Sequence, residues 1–202
     1  MKTLAIFDLD GVLVDACEWH RIALNLALKR VSNYFIPDEE HFLTYNGLPT
    51  KTKLKMLVEK KCILEEDIEL ISIIKQEETL KTIEANCLYD YEKNEALHYL
   101  SSRAVRIACV TNSIRDTAMK MLKKSGLASY IDLLISNEDV HNNKPSLDGY
   151  DLCLEKFKAS KEECVVFEDL QACVDSAKLG GYDVRKIANH KDITLSFIQE
   201  IF

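Results

Sequence analysis

The sequence has no basic excess, and that absence removes one class of partner at the outset. Its 26 Lys and Arg stand against 33 Asp and Glu, a formal charge of −7 with an isoelectric point near 5.3. A general nucleic-acid binder instead presents a basic face to phosphate, so no nucleic-acid partner is expected. The chain also lacks any apolar run approaching the roughly 20 residues needed to span a bilayer, so no membrane partner is expected. The apolar run near its start is interrupted at Asp8, which argues against a secretory pattern. The seven cysteines (17, 62, 87, 109, 153, 164 and 173) are odd in number, contain no Cys-x-x-Cys pair, and in part sit inside runs such as IACVT and ECVVF. They read as reduced core thiols of a cytoplasmic protein rather than as a zinc site or a disulfide framework. Repeats, linkers and low-complexity segments are absent as well.

What is present is an ordinary globular composition, 47% hydrophobic and 29% charged over 202 residues, enough for one sizeable domain carrying a smaller insertion. The run Leu4 to Phe7 is uncharged and short, the mark of a strand buried on both faces. From about Ala16 the pattern turns helical and stays so. Helices are expected at about 16–30 and 39–45, from Thr50, and at 65–84 with Ile68, Ile71, Ile74 and Leu80 along one side. Lys51, Lys53, Lys55, Lys60 and Lys61 read as a solvated helix face. This block contains no convincing strand and reads as an inserted helical subdomain.

From Leu88 strands and helices alternate: helices near 92–101, 116–125 and 148–158, a further one ending at Gly180 and Gly181, and one at 193–201, with strands at 104–110, 133–136, 164–167 and 184–187. That alternation implies right-handed crossovers and a mostly parallel sheet covered on both faces. The expectation is an α/β fold: a Rossmann-like, doubly wound parallel core over 1–15 and 88–202, with a helical cap over 16–87.

In such a sheet functional groups collect beyond the carboxyl ends of the strands. Those ends carry Asp8 and Asp10, Thr111 and Asn112, the loop with Lys144, and Glu168 with Asp169. Each group alone also suits a plain structural role, as a helix cap, a solvated lysine or an acidic helix start. Their joint arrival is what phosphoryl transfer to a carboxylate requires. A phosphate dianion repels an attacking Asp, so a divalent cation must neutralise both, and magnesium prefers carboxylate oxygens together with water and phosphate. Asp8 and Asp169 would supply those oxygens, with Glu168 direct or through water. Lys144 adds fixed positive charge, and Thr111 with nearby backbone N–H groups would hold phosphate oxygens. Asp10 remains to handle the proton.

These residues resemble the motifs of the haloacid dehalogenase superfamily, in the subgroup of small phosphatases and phosphomutases with a helical cap. The resemblance covers nearly the whole chain: Asp8 to Val12 as D-x-D-G-[TV], the apolar strand ending in CVTNS, the Lys-Pro loop NNKPSLDGY, and VVFEDLQACVDSAKLGG. It implies that Asp8 is the nucleophile forming an aspartyl-phosphate and that Asp10 is the general acid and base, its backbone carbonyl joining the magnesium ligands. It further implies substrate-binding roles for Asn112, for His20 on the first cap helix, and for Lys51 after the Gly47 turn. Leu147, Leu170 and Cys173 depart from the usual Pro, Ser and Gly, changes that bear on loop shape and substrate fit. The implied activity is hydrolysis of a small phosphorylated metabolite, such as a sugar phosphate or a nucleoside monophosphate, by a monomer or homodimer. The motifs leave open a sugar phosphomutase, and a non-catalytic binding protein that keeps the fold.

Overall fold

The computed structural model describes residues 2–202, which form two compact units: the residues up to Asp15 together with Leu88–Phe202, and Ala16–Cys87. In chain order, β1 (Leu4–Phe7) is followed by the helices of the second unit, α1 (Cys17–Ser32), α2 (Asp38–Glu40), α3 (Thr50–Glu59) and α4 (Ile68–Asn86). The first unit then resumes with α5 (Tyr91–Ser102), β2 (Arg106–Val110), α6 (Arg115–Lys124), β3 (Leu133–Ile135), α7 (Asp148–Phe157), β4 (Cys164–Glu168), α8 (Gln171–Leu179), β5 (Val184–Lys186) and α9 (Leu195–Gln199).

The five strands form one sheet in the order β3-β2-β1-β4-β5, and every pair is parallel. The central strand β1 is the apolar run Leu4 to Phe7, buried at all four positions as two-sided coverage requires. Its register sets Phe7 opposite Cys109 on β2 and opposite Phe167 on β4. The Phe7 and Phe167 rings stack with centroids 4.4 Å apart, fixing the strands side by side just before each delivers its acids. Helix α7 lies close to β2, because a side chain on Gly149 would stand 2.7 Å from Val110 Cγ1. β2 starts two residues later than expected: Ala104 adopts φ 58° in the turn that closes α5, and Val105 N–H donates to Leu100 O. The last helix is likewise shorter than its apolar pattern, capped at Thr194, whose hydroxyl accepts from Phe197 N–H.

The second unit has its own core, with Leu24 and Leu28 of α1, Leu54 and Leu57 of α3, Ile71 of α4 and Tyr45 among its buried residues. Three details differ from the sequence pattern. The segment His41–Tyr45 is a π-helical turn in which Asn46 N–H reaches back to His41 O. The buried stripe of α4 is Ile71, Thr79 and Ile83, whereas Ile68, Ile74 and Leu80 are only half-buried. Thr79 is tolerated there because its hydroxyl donates to Lys75 O one turn earlier. Finally, Lys53 departs from the solvated lysine face and is only 6% exposed.

Candidate active site

The acids sit where β1 and β4 end. Asp8 N–H donates to Phe167 O at 2.9 Å, which continues the β1–β4 pairing one step past the strand and places Asp8 beside Glu168. The loop then folds tightly on itself: Gly11, at φ 94°, donates its N–H to Val14 O at 2.8 Å, and the N–H groups of Leu13 and Val14 both donate to Leu9 O. A positive φ at that turn is what glycine supplies without strain.

Lys144 reaches this point from the loop before α7. Its ammonium donates to Asp8 Oδ1 at 2.5 Å and to Glu168 Oε1, and all three residues are buried. Glu168, fully buried, also accepts from the Tyr150 hydroxyl at 2.8 Å and, on Oε2, from Asp169 N–H at 3.2 Å. Its carboxylate is thus engaged by protein donors and serves here as the far post of the lysine. The Lys144 backbone is braced in turn by Asn112, whose amide accepts from Lys144 N–H at 2.9 Å and donates to Lys144 O at 3.0 Å. The side chain expected to meet substrate also holds the lysine loop.

Asp10 belongs to a neighbouring group. Its Oδ2 accepts from Ser113 Oγ at 2.9 Å and from Thr111 Oγ1 at 3.3 Å, and Thr111 Oγ1 itself accepts from Ser113 N–H. The structure thus gathers Asp8, Asp10, Thr111, Asn112, Lys144, Glu168 and Asp169 around the ends of β1, β2 and β4. The other two expected residues belong to the second unit. There His20 is half-buried with Nδ1 3.1 Å from Lys75 Nζ, and Lys51 is exposed on α3. Two further donors, Ser113 and Tyr150, end the motifs CVTNS and NNKPSLDGY but have no role of their own in the sequence reading. Ser113 had a signal, since Thr-Asn-Ser at a strand end offers three short polar side chains. Tyr150 closes the Lys-Pro motif, but nothing in that motif tells that its hydroxyl turns back to Glu168.

The electrostatics are lopsided. Burial pushes the Asp8 carboxyl up, Lys144 pulls it down, and Glu168, Asp169 and Asp10 push it up again. Burial alone would lower the Lys144 ammonium, but Asp8 and Glu168 outweigh it and hold it well above the usual lysine value. Asp169 is raised to about 6 by burial and then by Glu168. Three acids, Asp8, Glu168 and Asp169, thus share one ammonium, with Asp10 a further charge acting on Asp8. One oxygen each from Asp8, Glu168 and Asp169 lie within 4.8 Å of one another, and Asp169 Oδ1 is buried with no hydrogen-bond partner. A buried acceptor without a donor, in a cluster short of positive charge, is what a hard cation with oxygen ligands would satisfy.

The profile of the haloacid dehalogenase-like hydrolase family matches residues 5–187. A phosphorylated carbohydrates phosphatase from Thermotoga maritima is 27% identical over 178 residues, 88% of this chain and 81% of that protein. A fructose-1-phosphate phosphatase from Escherichia coli is 26% identical over 180 residues, 88% of this chain and 92% of that protein. Among solved structures, a β-phosphoglucomutase from Clostridium difficile superposes with a TM-score of 0.82 at 18% identity, covering 99% of this chain and 96% of that one; at that identity the likeness speaks to the fold alone. The chain belongs to the haloacid dehalogenase-like hydrolase family.

Proposed function

We propose that this family member is a magnesium-dependent phosphatase that hydrolyses a small phosphorylated metabolite, a sugar phosphate foremost, through an aspartyl-phosphate on Asp8. The observation that carries the reading is Lys144 bridging Asp8 and Glu168 beside the unpartnered, buried Asp169 oxygen. The two curated relatives, named for phosphorylated carbohydrates and fructose 1-phosphate, support the substrate class.

Asp8 and Asp169, with the Asp10 backbone carbonyl, would hold the magnesium ion, and Glu168 would act from behind the lysine or through water. When bound, the ion supplies the charge that lets a carboxylate approach a phosphate dianion. Asp8 attacks phosphorus and the bond to the leaving oxygen breaks, while protonated Asp10 gives its proton to that oxygen. Asp10, now a carboxylate, takes a proton from water as the water attacks phosphorus. The bond to Asp8 then breaks, releasing inorganic phosphate and restoring the nucleophile. Lys144 keeps Asp8 aimed and offsets charge throughout, and the hydroxyls of Thr111 and Ser113 hold the Asp10 carboxylate in line.

A phosphate-release screen over phosphorylated metabolites, with and without EDTA, tests this reading. Release from sugar phosphates that EDTA abolishes is expected. Isomerisation of a sugar 1-phosphate without phosphate release would refute it, and so would a rate indifferent to EDTA. His20 and Lys51 are proposed as substrate contacts in the second unit. Lys51→Ala is expected to raise the KM of doubly anionic substrates severalfold and leave that of aryl phosphates alone; equal effects would remove Lys51 from the site.

A further inference from the structure

A second set of charges in the α/β unit is not used by this chemistry. Lys93 on α5 is only 2% exposed, and its Nζ lies 2.6 Å from Asp90 Oδ2 and 3.3 Å from His190 Nδ1. The other ring nitrogen, His190 Nε2, lies 3.4 Å from Asp15 Oδ2. An ammonium has donors only, so the Nδ1 facing it must accept and the ring proton belongs on Nε2, the nitrogen on the side of Asp15. Burial and then the Lys93 charge hold the imidazole below its ordinary pKa, which favours this neutral form.

Three of the four members are pinned by their own elements. Asp90 caps α5, with Oδ1 accepting from Lys93 N–H, and its own N–H donates to Ser125 O. Its backbone carbonyl accepts from Asn94 Nδ2. Lys93 is enclosed within α5, and His190 is framed by the reciprocal Asn189 and Asp192 capping bonds. Asp15 is the exception, with a side chain 67% exposed. It ends the loop that leaves β1, the loop whose internal bonds from Gly11 and Val14 set the path of Asp10. Replacing a buried ion pair by packed apolar groups is often neutral or stabilising, and one attested use of a pair that is kept is to fix geometry.

We propose that His190, backed by Lys93 and Asp90, is a positioning residue: by holding Asp15 it fixes the far end of the catalytic loop and so the place of the Asp10 carboxyl. This rests on Asp10 being the general acid of the proposed reaction. General-acid help matters most when the leaving oxygen is a poor one, so a misplaced acid steepens the dependence of rate on leaving-group acidity, whereas lost folding lowers all rates alike.

The experiment measures kcat and KM of the full chain on aryl phosphates of graded phenol acidity and on an alkyl phosphate. His190→Leu and Asp15→Ala are expected to lower kcat about tenfold for the poorest leaving groups and less than twofold for the best, with KM little changed. Asp15→Ala, altering an exposed side chain, keeps the test available if His190→Leu does not fold. His190→Gln, whose amide can accept from Lys93 and donate to Asp15, should restore the shallow dependence. A uniform loss across leaving groups, or a wild-type slope in Asp15→Ala, overturns the proposal. Asp10→Ala separates the two levels. If it is steep while Asp15→Ala is flat, the positioning role alone fails; if Asp10→Ala is itself flat, the acid role fails and the positioning role falls with it.

Discussion

Several buried polar groups of the two units are accommodated in different ways. In the α/β unit the buried charges Asp8, Lys93, Lys144 and Glu168 each stand against a partner of opposite sign. In the helical unit, fully buried His41 has no hydrogen-bond partner at either ring nitrogen. Burial, followed by the nearby charges of Lys53 and Arg21, lowers its pKa to about 4 and keeps it neutral. Buried Asn25 takes a third route, its amide accepting from Ile36 N–H and donating to Ile36 O. Pairing preserves charge and therefore reactivity at the cost of desolvation, whereas neutralisation gives up charge for a simpler interior. The contrast makes the first unit the place where the proposed chemistry is to be tested.

The sharpest way to break that contrast is Asp8→Asn, which removes the proposed nucleophile and leaves its shape. Turnover is expected to fall by at least about 10³-fold with the fold intact; retained phosphate release would remove Asp8 from the reaction. Lys144→Met should affect both function and stability. It leaves Asp8 and Glu168 buried without their cation, so a loss of about 3–5 kcal/mol in urea unfolding is expected together with loss of activity, and unchanged stability would mean the pairing is not structural.

A smaller effect separates the units by pH. Asp169, raised to about 6 from its ordinary 3.8, contributes stability below pH 4 that is lost as pH rises through about 6. His41, lowered to about 4 from 6.5, contributes stability above pH 6.5 that is lost as pH falls through about 4. In metal-free protein Asp169→Asn should therefore flatten the alkaline-going loss and His41→Leu the acid-going one, read as melting temperature against pH. His41→Leu should also be neutral or stabilising by about 1 kcal/mol at pH 7, since no hydrogen bond is given up. A clear loss there would show that His41 does have a partner.

Much of the fold was legible because its signals are local. Two-sided burial gives β1 and β4 continuous apolar runs, and the parallel sheet follows from alternation. The acids could be placed because strand ends in a parallel sheet converge. What escaped depends on distance or on unusual local geometry. Ser113 meets Asp10 across 103 residues, and Tyr150 was hidden because a phenol inside an apolar helix pattern looks like core until its hydroxyl is seen to find Glu168. The π-turn at His41–Tyr45 has no periodicity of its own to read. Buried Thr79 and Lys53 defeated hydrophobic counting, which cannot foresee a hydroxyl satisfied by its own helix or a lysine drawn into the interior.

The register of β1 also has a bearing on synthesis. Leu4 pairs with Arg106 on one side and Cys164 on the other, so the strand that carries Asp8 leaves the ribosome long before either neighbour exists. The contiguous Ala16–Cys87 segment, with a core of its own, is complete while β1 is still an unpaired apolar strand. The helical unit thus has the opportunity to fold first on the nascent chain, and Asp8 is seated late, when β2 and then β4 arrive. During that interval β1 is the segment most in need of shielding, so a slowed ribosome between Ser102 and Arg106 would expose the strand that carries Asp8 to aggregation before it could pair.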